Sequence, residues 1–259
     1  MSINSFADHA PKPEWLRDFF QFPATFLSEH TLGPMMISMF KRFLRDAGLL
    51  EKKGREEVPK SLAEQIKSFG WESETAQGIL LTNLVCSNPQ FAWYVRQMDV
   101  GNEYSRKTTE EMLVADSVSE KDAKSIVKAF KRIVETPIGT RLRFGCVIRK
   151  GDKITGLSRT PCVITEPLVV LYALFKFSEV CGDYRQFTLG RLMDFSVQSD
   201  GISPAQIFGI ERDRLHGMLE GLSANHREFI SVSFTHDLEK ISLAEDKGSA
   251  DVLKMIFGE

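Results

Sequence analysis

Four cysteines and five histidines are the side chains of this 259-residue chain best suited to metal binding or nucleophilic chemistry. The cysteines are separated by 60, 16 and 19 positions, so no Cys-x-x-Cys pair exists, and the histidines form no His-x-His or His-Glu-x-x-His motif. Apolar neighbours favour buried free thiols in a reducing compartment, whereas a metal or iron–sulfur site would require the cysteines to converge in space. The cysteines are Cys86, Cys146, Cys162 and Cys181.

Other catalytic patterns are also missing from the sequence. There is no Gly-x-Ser-x-Gly elbow, no phosphate-binding loop and no dinucleotide-binding glycine fingerprint. We expect His216 on a helix surface, and His236 and Asp237 in a turn. Because no set of residues is spaced to activate water, a thiol or a hydroxyl group, the sequence predicts a protein that is not an enzyme by itself and needs no cofactor.

Basic residues are concentrated in one window, from Ser119 to Arg159. It holds eleven basic and four acidic residues, a net charge of +7 in a chain of −2, so the remainder sums to −9. Such a field attracts phosphate-rich partners, and the window predicts nucleic-acid contact; an acidic protein partner and a simply solvated surface are the alternatives. The predicted nucleic-acid-binding residues are Lys121, Lys124, Lys128, Lys131, Arg132, Arg141, Arg143, Arg149, Lys150 and Lys153.

Aromatic residues are sparse in the same window. Phe144 is the one aromatic that we expect on its surface, which is too few for a groove that stacks unpaired bases. Arg159 is expected to add its charge to the surface of the hairpin. The sequence therefore favours duplex DNA as the ligand.

An amphipathic helix and a hairpin are the elements that must position these cations. Ser119 with Asp122 three residues later is a variant of the capping box, and Gly151-Asp152 is a hairpin-turn signal between predicted strands 146–149 and 153–157. A short helix capped by Thr108 or Thr109 precedes them. Helix, turn, amphipathic helix and hairpin is the order of a winged helix-turn-helix.

Similar orders of elements on both sides predict a mainly α-helical protein with short β-hairpins, built from tandem winged-helix-like units. The predicted units are an N-terminal helical, winged-helix-like unit with connector helices (1–102), a central winged helix-turn-helix with the basic hairpin (103–165), and a C-terminal helical unit with a hairpin and a terminal helix (166–259). The apolar face of that terminal helix either packs on its own unit or docks on a partner.

The first residues and the apolar runs indicate the compartment. Residues 1–13 are polar and proline-containing, which predicts a loose leader and no signal peptide. The longest apolar run, 168–175, is too short to span a bilayer. We therefore expect a soluble, cytoplasmic protein.

Several stretches of spaced apolar residues and short turns carry a family resemblance. They are Phe43 to Leu50, Leu84 through Ser87-Asn88-Pro89 with Trp93, the capped helix from Ser119 to Thr136-Pro137-Ile138-Gly139, Glu166-Pro167, Tyr172-Ala173-Leu174, Ile207-Phe208-Gly209, Leu219, Leu222, Leu238, Ile241 and Leu243. In these stretches the chain resembles a bacterial and archaeal family of unknown function, found beside PAPS-reductase-like proteins in DNA phosphorothioation and phage-defence gene clusters. The resemblance implies an accessory protein that works with a sulfur-handling enzyme on DNA, and it supplies no catalytic residue. A protein–protein adaptor without nucleic-acid contact is the alternative function.

Overall fold

A computed structural model describes residues 3–196, 199–235 and 238–259 of the chain. It is about 53% helical with small antiparallel sheets, which confirms the mainly α class with short hairpins. The chain divides into two compact units, Met1–Val163 and Ile164–Glu259. This boundary lies two residues before the one expected at 165/166, and the position 102/103 lies inside the first unit.

The first unit begins with helices around a small hairpin and ends with a three-stranded sheet. In chain order its elements are α1 (Pro13–Gln21), α2 (Pro23–Ser28), α3 (Pro34–Asp46), β1 (Leu50–Lys53), β2 (Glu56–Pro59), α4 (Ser61–Phe69), α5 (Glu74–Ser87), α6 (Pro89–Gln97), β3 (Glu103–Ser105), α7 (Arg106–Ala115), α8 (Glu120–Ile133), α9 (Pro137–Thr140), β4 (Gly145–Lys150) and β5 (Lys153–Arg159).

Helix α8 and the three-stranded sheet form the part that carries the basic window. The sheet is antiparallel in the order β3-β5-β4, so the strand before the two helices pairs with the second strand of the hairpin. A two-residue turn joins β4 to β5, and its Gly151 has a φ of +61°, a left-handed conformation that favours glycine. The predicted basic hairpin is thereby confirmed.

Buried aromatic rings hold α8 in place. The ring centroid of Phe130 in α8 lies 4.7 Å from that of Tyr94 in α6, and Tyr94 lies 4.8 Å from Phe144 just before β4. All three side chains are buried. Because apolar residues recur every three to four positions in α8, this one contact region determines which face of the helix points inwards.

The two helices that precede the hairpin begin at capping residues. Ser119 caps α8 as predicted, since its Oγ accepts a hydrogen bond from the Asp122 backbone N–H at 3.1 Å. The predicted cap of the preceding helix was wrong. Helix α7 begins directly after β3, and its cap is Ser105, whose Oγ accepts from the Thr108 N–H at 3.0 Å.

Arg159 is a buried structural residue, so the expectation that it lies on the hairpin surface was wrong. Its side chain is on the central strand β5 and its exposed fraction is 3%. The Nη1 atom donates to the carbonyl oxygens of Val95 at 2.6 Å and Met98 at 2.9 Å, which belong to the end of α6. Burial lowers the pKa of the guanidinium group. Arg159 thus satisfies carbonyl groups that the end of a helix leaves without partners.

The second unit has the order helix, strand, two short helices, longer helix and hairpin, whereas in the first unit one helix precedes the longer helix α8 and the short α9 follows it. Its sheet is again antiparallel, in the order β6-β8-β7. The turn expected at His236 and Asp237 lies outside the described residues. Its elements are α10 (Leu168–Val180), β6 (Gln186–Thr188), α11 (Leu189–Met193), α12 (Pro204–Phe208), α13 (Arg212–Asn225), β7 (Ile230–Thr235), β8 (Leu238–Leu243) and α14 (Ser249–Phe257).

Helix α10 is the apolar centre of this unit. It has 13 residues, most of them buried, and the terminal helix α14 packs against it with Val252 fully buried. Packing of α14 on its own unit was one of the two expected arrangements. Among the described residues, no helix combines the length and apolar character needed to cross a membrane.

The buried role of Arg159 predicts a loss of stability on substitution. Replacing it in Arg159→Leu leaves the carbonyl groups of Val95 and Met98 buried without partners, so we expect the free energy of unfolding to fall by about 2–4 kcal/mol. The exposed Arg141 is the matched control, and Arg141→Leu should change the free energy of unfolding by less than about 0.5 kcal/mol. Urea denaturation of both variants measures the difference, and equal stabilities would show that the two hydrogen bonds contribute nothing.

Candidate nucleic-acid interface

Three lysines of α8 form an exposed row, which we call the lysine strip. Lys121, Lys124 and Lys128 are all exposed, on the side of the helix opposite the buried Ile126 and Phe130. They follow one another at steps of three and four residues, so the row spans about 10 Å along the helix axis. The helix therefore presents the regular line of positive charge that the sequence predicted.

The N-terminal segment, residues 4–8, occupies one flank of the strip. Lys128 Nζ lies 3.1 Å from Asp8 Oδ2, and Arg132 donates to the backbone carbonyl of Asp8. Hydrogen bonding from Ser125, followed by the bond and charge of Lys128, holds the pKa of Asp8 below its usual value. Two of the predicted binding residues thus already have partners within the chain.

This segment is anchored in the core, so the prediction of a loose leader was wrong. Phe6 is fully buried, with its ring centroid 6.1 Å from that of Phe43 and 6.2 Å from that of Phe91. Asn4 Nδ2 donates to Asp122 Oδ1 at 2.7 Å. A single phenylalanine in a polar stretch was the sequence signal for this anchoring.

Helix α7 borders the opposite flank and gives it a mixed charge. Arg106 Nε lies 2.6 Å from Glu110 Oε1, and Lys107 Nζ lies 3.5 Å from Glu111 Oε1. Lys131 faces this side and is half-exposed. Its pKa is lowered by burial and by the charge of Arg106, with Glu110 acting in the opposite direction. Lys131 consequently contributes less to the exposed positive surface than the lysine strip does.

The hairpin contributes two cations at its turn and one that is paired. Lys150 and Lys153 are exposed and lie opposite each other across the turn. Neither side-chain ammonium group has a hydrogen bond or an ion pair to any described residue. Arg149 Nη2 lies 3.5 Å from Glu135 Oε1, just beyond the end of α8, which links the hairpin to that end of the helix.

Arg141 and Arg143 lie in the loop before β4, at the base of the hairpin. Both are exposed, and Arg143 has a φ of +61°, which is uncommon for any residue except glycine. The hydroxyl group of Thr160 donates to the Arg143 carbonyl. Since β4 has six residues, its base and its turn are about 17 Å apart. The predicted cations therefore fall into separate groups at the strip, the turn and the base.

Phe144 is not available for stacking, and its predicted exposure was wrong. The side chain is 1% exposed, and its ring also lies 6.4 Å, centroid to centroid, from that of Phe91. The residue stands where the chain enters β4 and turns its ring into the core beside Tyr94.

The cysteines have different environments. Cys162 is buried, Cys86 and Cys181 are half-buried and Cys146 is exposed, so the expectation of burial was wrong for Cys146. All four are free thiols, and burial raises the pKa of Cys162 to about 12. Within the described ranges, no three His, Cys, Asp or Glu side chains are grouped so as to hold a metal ion.

No protein-family model, no curated protein and no solved structure matches this chain. Fold and surface chemistry are therefore the grounds for assigning a function. They define a mainly α-helical protein of two compact units, whose first unit presents a row of lysines beside a basic hairpin.

The cysteine environments predict a clear order of reactivity. Burial and a pKa raised to about 12 keep the Cys162 thiol protonated and inaccessible at pH 8, whereas Cys146 is open to solvent. We expect a maleimide to modify Cys146 first and Cys162 last in the native protein. Peptide mass spectrometry over time measures the order, and Cys146→Ser should remove the fastest phase. Early modification of Cys162 would contradict its burial.

Proposed function

We propose that this protein is a non-catalytic DNA-binding accessory protein, which binds duplex DNA through the central winged helix-turn-helix expected at residues 103–165. The observation that carries the proposal is the exposed lysine strip on the second of two consecutive helices, next to a hairpin with two exposed lysines at its turn. The connectivity supports it, because a short strand before the two helices pairs with the distal strand of the hairpin, as in winged helices.

Dimensions and charge are compatible with a duplex. The major groove of B-DNA is about 12 Å wide and accepts one α-helix, and the hairpin would then reach the sugar-phosphate backbone. The strip itself consists of Lys121, Lys124 and Lys128, with no asparagine or glutamine suited to bidentate contact with adenine. Contacts with phosphate groups would therefore supply most of the affinity, and discrimination between sequences would be weak.

A PAPS-reductase-like, sulfur-handling enzyme is the partner that we propose for the segments flanking the DNA-binding region. The ground for this partner is the resemblance of several stretches to the family found in DNA phosphorothioation and phage-defence clusters. Recruitment of the enzyme to DNA is the role that follows. Co-purification that persists after nuclease treatment would support the pair.

A protein–protein adaptor is the second candidate function. It is favoured by large apolar side chains exposed on the first unit: Phe22 at 58%, Met35 at 57% and Phe69 at 44%. Exposed apolar groups of this size occur at interfaces between proteins. Capture of a partner that is unaffected by nuclease and by salt, from a protein that does not bind DNA, would favour the adaptor.

Charge reversal on the strip tests the DNA proposal. Lys121→Glu combined with Lys124→Glu removes two contacts, so we expect duplex affinity to fall roughly tenfold or more for every sequence, and the log–log salt slope to shrink by about 2. Fluorescence anisotropy with a labelled duplex of about 20 base pairs, at several salt concentrations, measures both quantities.

The matched control makes the same change in net charge on the β1–β2 hairpin. Lys52 in β1 and Arg55 in the turn are exposed, and neither side chain forms a hydrogen bond or an ion pair with a described residue. Lys52→Glu with Arg55→Glu should leave both affinity and slope close to those of the unaltered protein. Equal losses in the two double variants would reveal a general effect of net charge and reject a specific interface.

Asp8 is expected to limit the affinity of the strip, because it neutralises part of the charge of Lys128. An exposed ion pair contributes about 0.2–1 kcal/mol, so Asp8→Asn should raise duplex affinity about 1.4- to fivefold. Asp18→Asn, an exposed carboxylate on α1, is the control for net charge. The same anisotropy assay compares the two variants. A lower duplex affinity of Asp8→Asn would show that Asp8 holds the binding surface in place and does not compete with the DNA.

A further inference from the structure

Strand β4 forms an edge of its sheet, with β5 as its pairing partner. The Thr160 N–H donates to the Phe144 carbonyl, while the Phe144 N–H, before the strand, donates to the Ile138 carbonyl. Within β4, every second residue after Phe144, that is Cys146 and Ile148, therefore turns its backbone groups towards β5. Val147 and Arg149 consequently turn theirs outwards. Neither the N–H nor the C=O of Val147 has a partner among the described residues.

The corresponding strand of the second unit is closed. Strand β7 is also an edge, but the Val232 N–H donates to Ser223 Oγ at 3.1 Å and the Ile230 N–H donates to the His226 carbonyl at 3.2 Å. Both partners belong to the end of α13 or follow it directly. Two units with the same sheet order thus differ at this edge, and the open one is in the first unit.

Side chains along β4 define what could pair with it. Val147 and Ile148 are half-exposed and supply apolar contact area, while Cys146 is exposed. Arg149 and Lys150 follow on the same strand and are exposed. An extended segment beside this edge would gain main-chain hydrogen bonds from the strand and charge attraction if its own side chains were acidic.

We propose that the outer edge of β4 binds an extended acidic segment of a partner protein by strand addition. Pairing with β4 of a second copy is disfavoured, because it would bring the arginine and lysine residues of two hairpins together. The proposal goes beyond DNA binding, since it uses the backbone of β4 and not the lysine strip.

A synthetic peptide provides the probe. The probe is a fluorescein-labelled, acetylated (Thr-Glu)₄ amide, which is acidic and extended and whose backbone groups are available to pair with β4. The corresponding (Thr-Lys)₄ peptide is the control for charge. We expect the acidic peptide to bind saturably and the basic one not to bind. An acidic peptide N-methylated at alternate residues lacks the donors for one edge, so we expect it to bind at least about tenfold more weakly.

Variants of the protein locate the site. Val147→Pro removes the outward N–H, and an edge strand tolerates proline at such a position. The variant should bind the acidic peptide at least about tenfold more weakly. Val147→Ala keeps the N–H and should change affinity less than about threefold. Lys121→Glu with Lys124→Glu should weaken duplex binding and leave peptide binding unchanged, so failure of one proposal is distinguishable from failure of the other.

Three results would overturn the proposal: no saturable binding of the acidic peptide up to about 1 mM, equal binding of the N-methylated peptide, or unaltered affinity in a folded Val147→Pro variant. Equal binding of the N-methylated peptide would mean that charge alone holds the ligand. Circular dichroism checks the fold of the proline variant. If it is unfolded, the comparison of the two acidic peptides on the unaltered protein decides the question.

Discussion

The contact between Phe130 of α8 and Tyr94 of α6 determines what the first unit can present to a partner. With these ring centroids 4.7 Å apart and both side chains buried, α8 cannot turn about its axis without exposing a large aromatic surface. The lysines at steps of three and four residues are held in solvent on the opposite side for this reason. Phe144 packs on the same tyrosine, so one buried cluster positions both the helix and the start of the hairpin.

Electrostatic balance limits how much of the basic window is free. Asp8 and Glu135 each engage a cation that the sequence assigned to the ligand, and α7 places Glu110 near Lys131. Exposed pairs of this kind are weak and are screened by salt, so a phosphate group can compete with them. A surface partly neutralised by its own chain is suited to reversible, salt-dependent contact.

The two units have the same strand order in their three-stranded sheets but present different surfaces. In the second unit the first residue of α13, Arg212, is paired with Glu239 of the hairpin, and His216 stacks on Phe234 with ring centroids 4.3 Å apart. Whereas the lysines of α8 extend towards solvent, Arg212 and His216 of α13 contact other residues of their own unit. Sheets of the same strand order are thus combined with an exposed row of lysines in one unit and with contacts inside the unit in the other.

The sequence by itself determined the local elements: the helix that Ser119 caps and the hairpin that turns at Gly151 follow from hydrogen bonds and backbone preferences within a few residues. Contacts between distant parts of the chain could not be predicted from the sequence. Asp8 meets Lys128 across 120 positions, and Arg159 is buried because the end of α6 supplies its acceptors. A spacing pattern shows which residues share a face, but only tertiary structure brings a counter-charge or a carbonyl group to that face, and this decides which charges remain exposed.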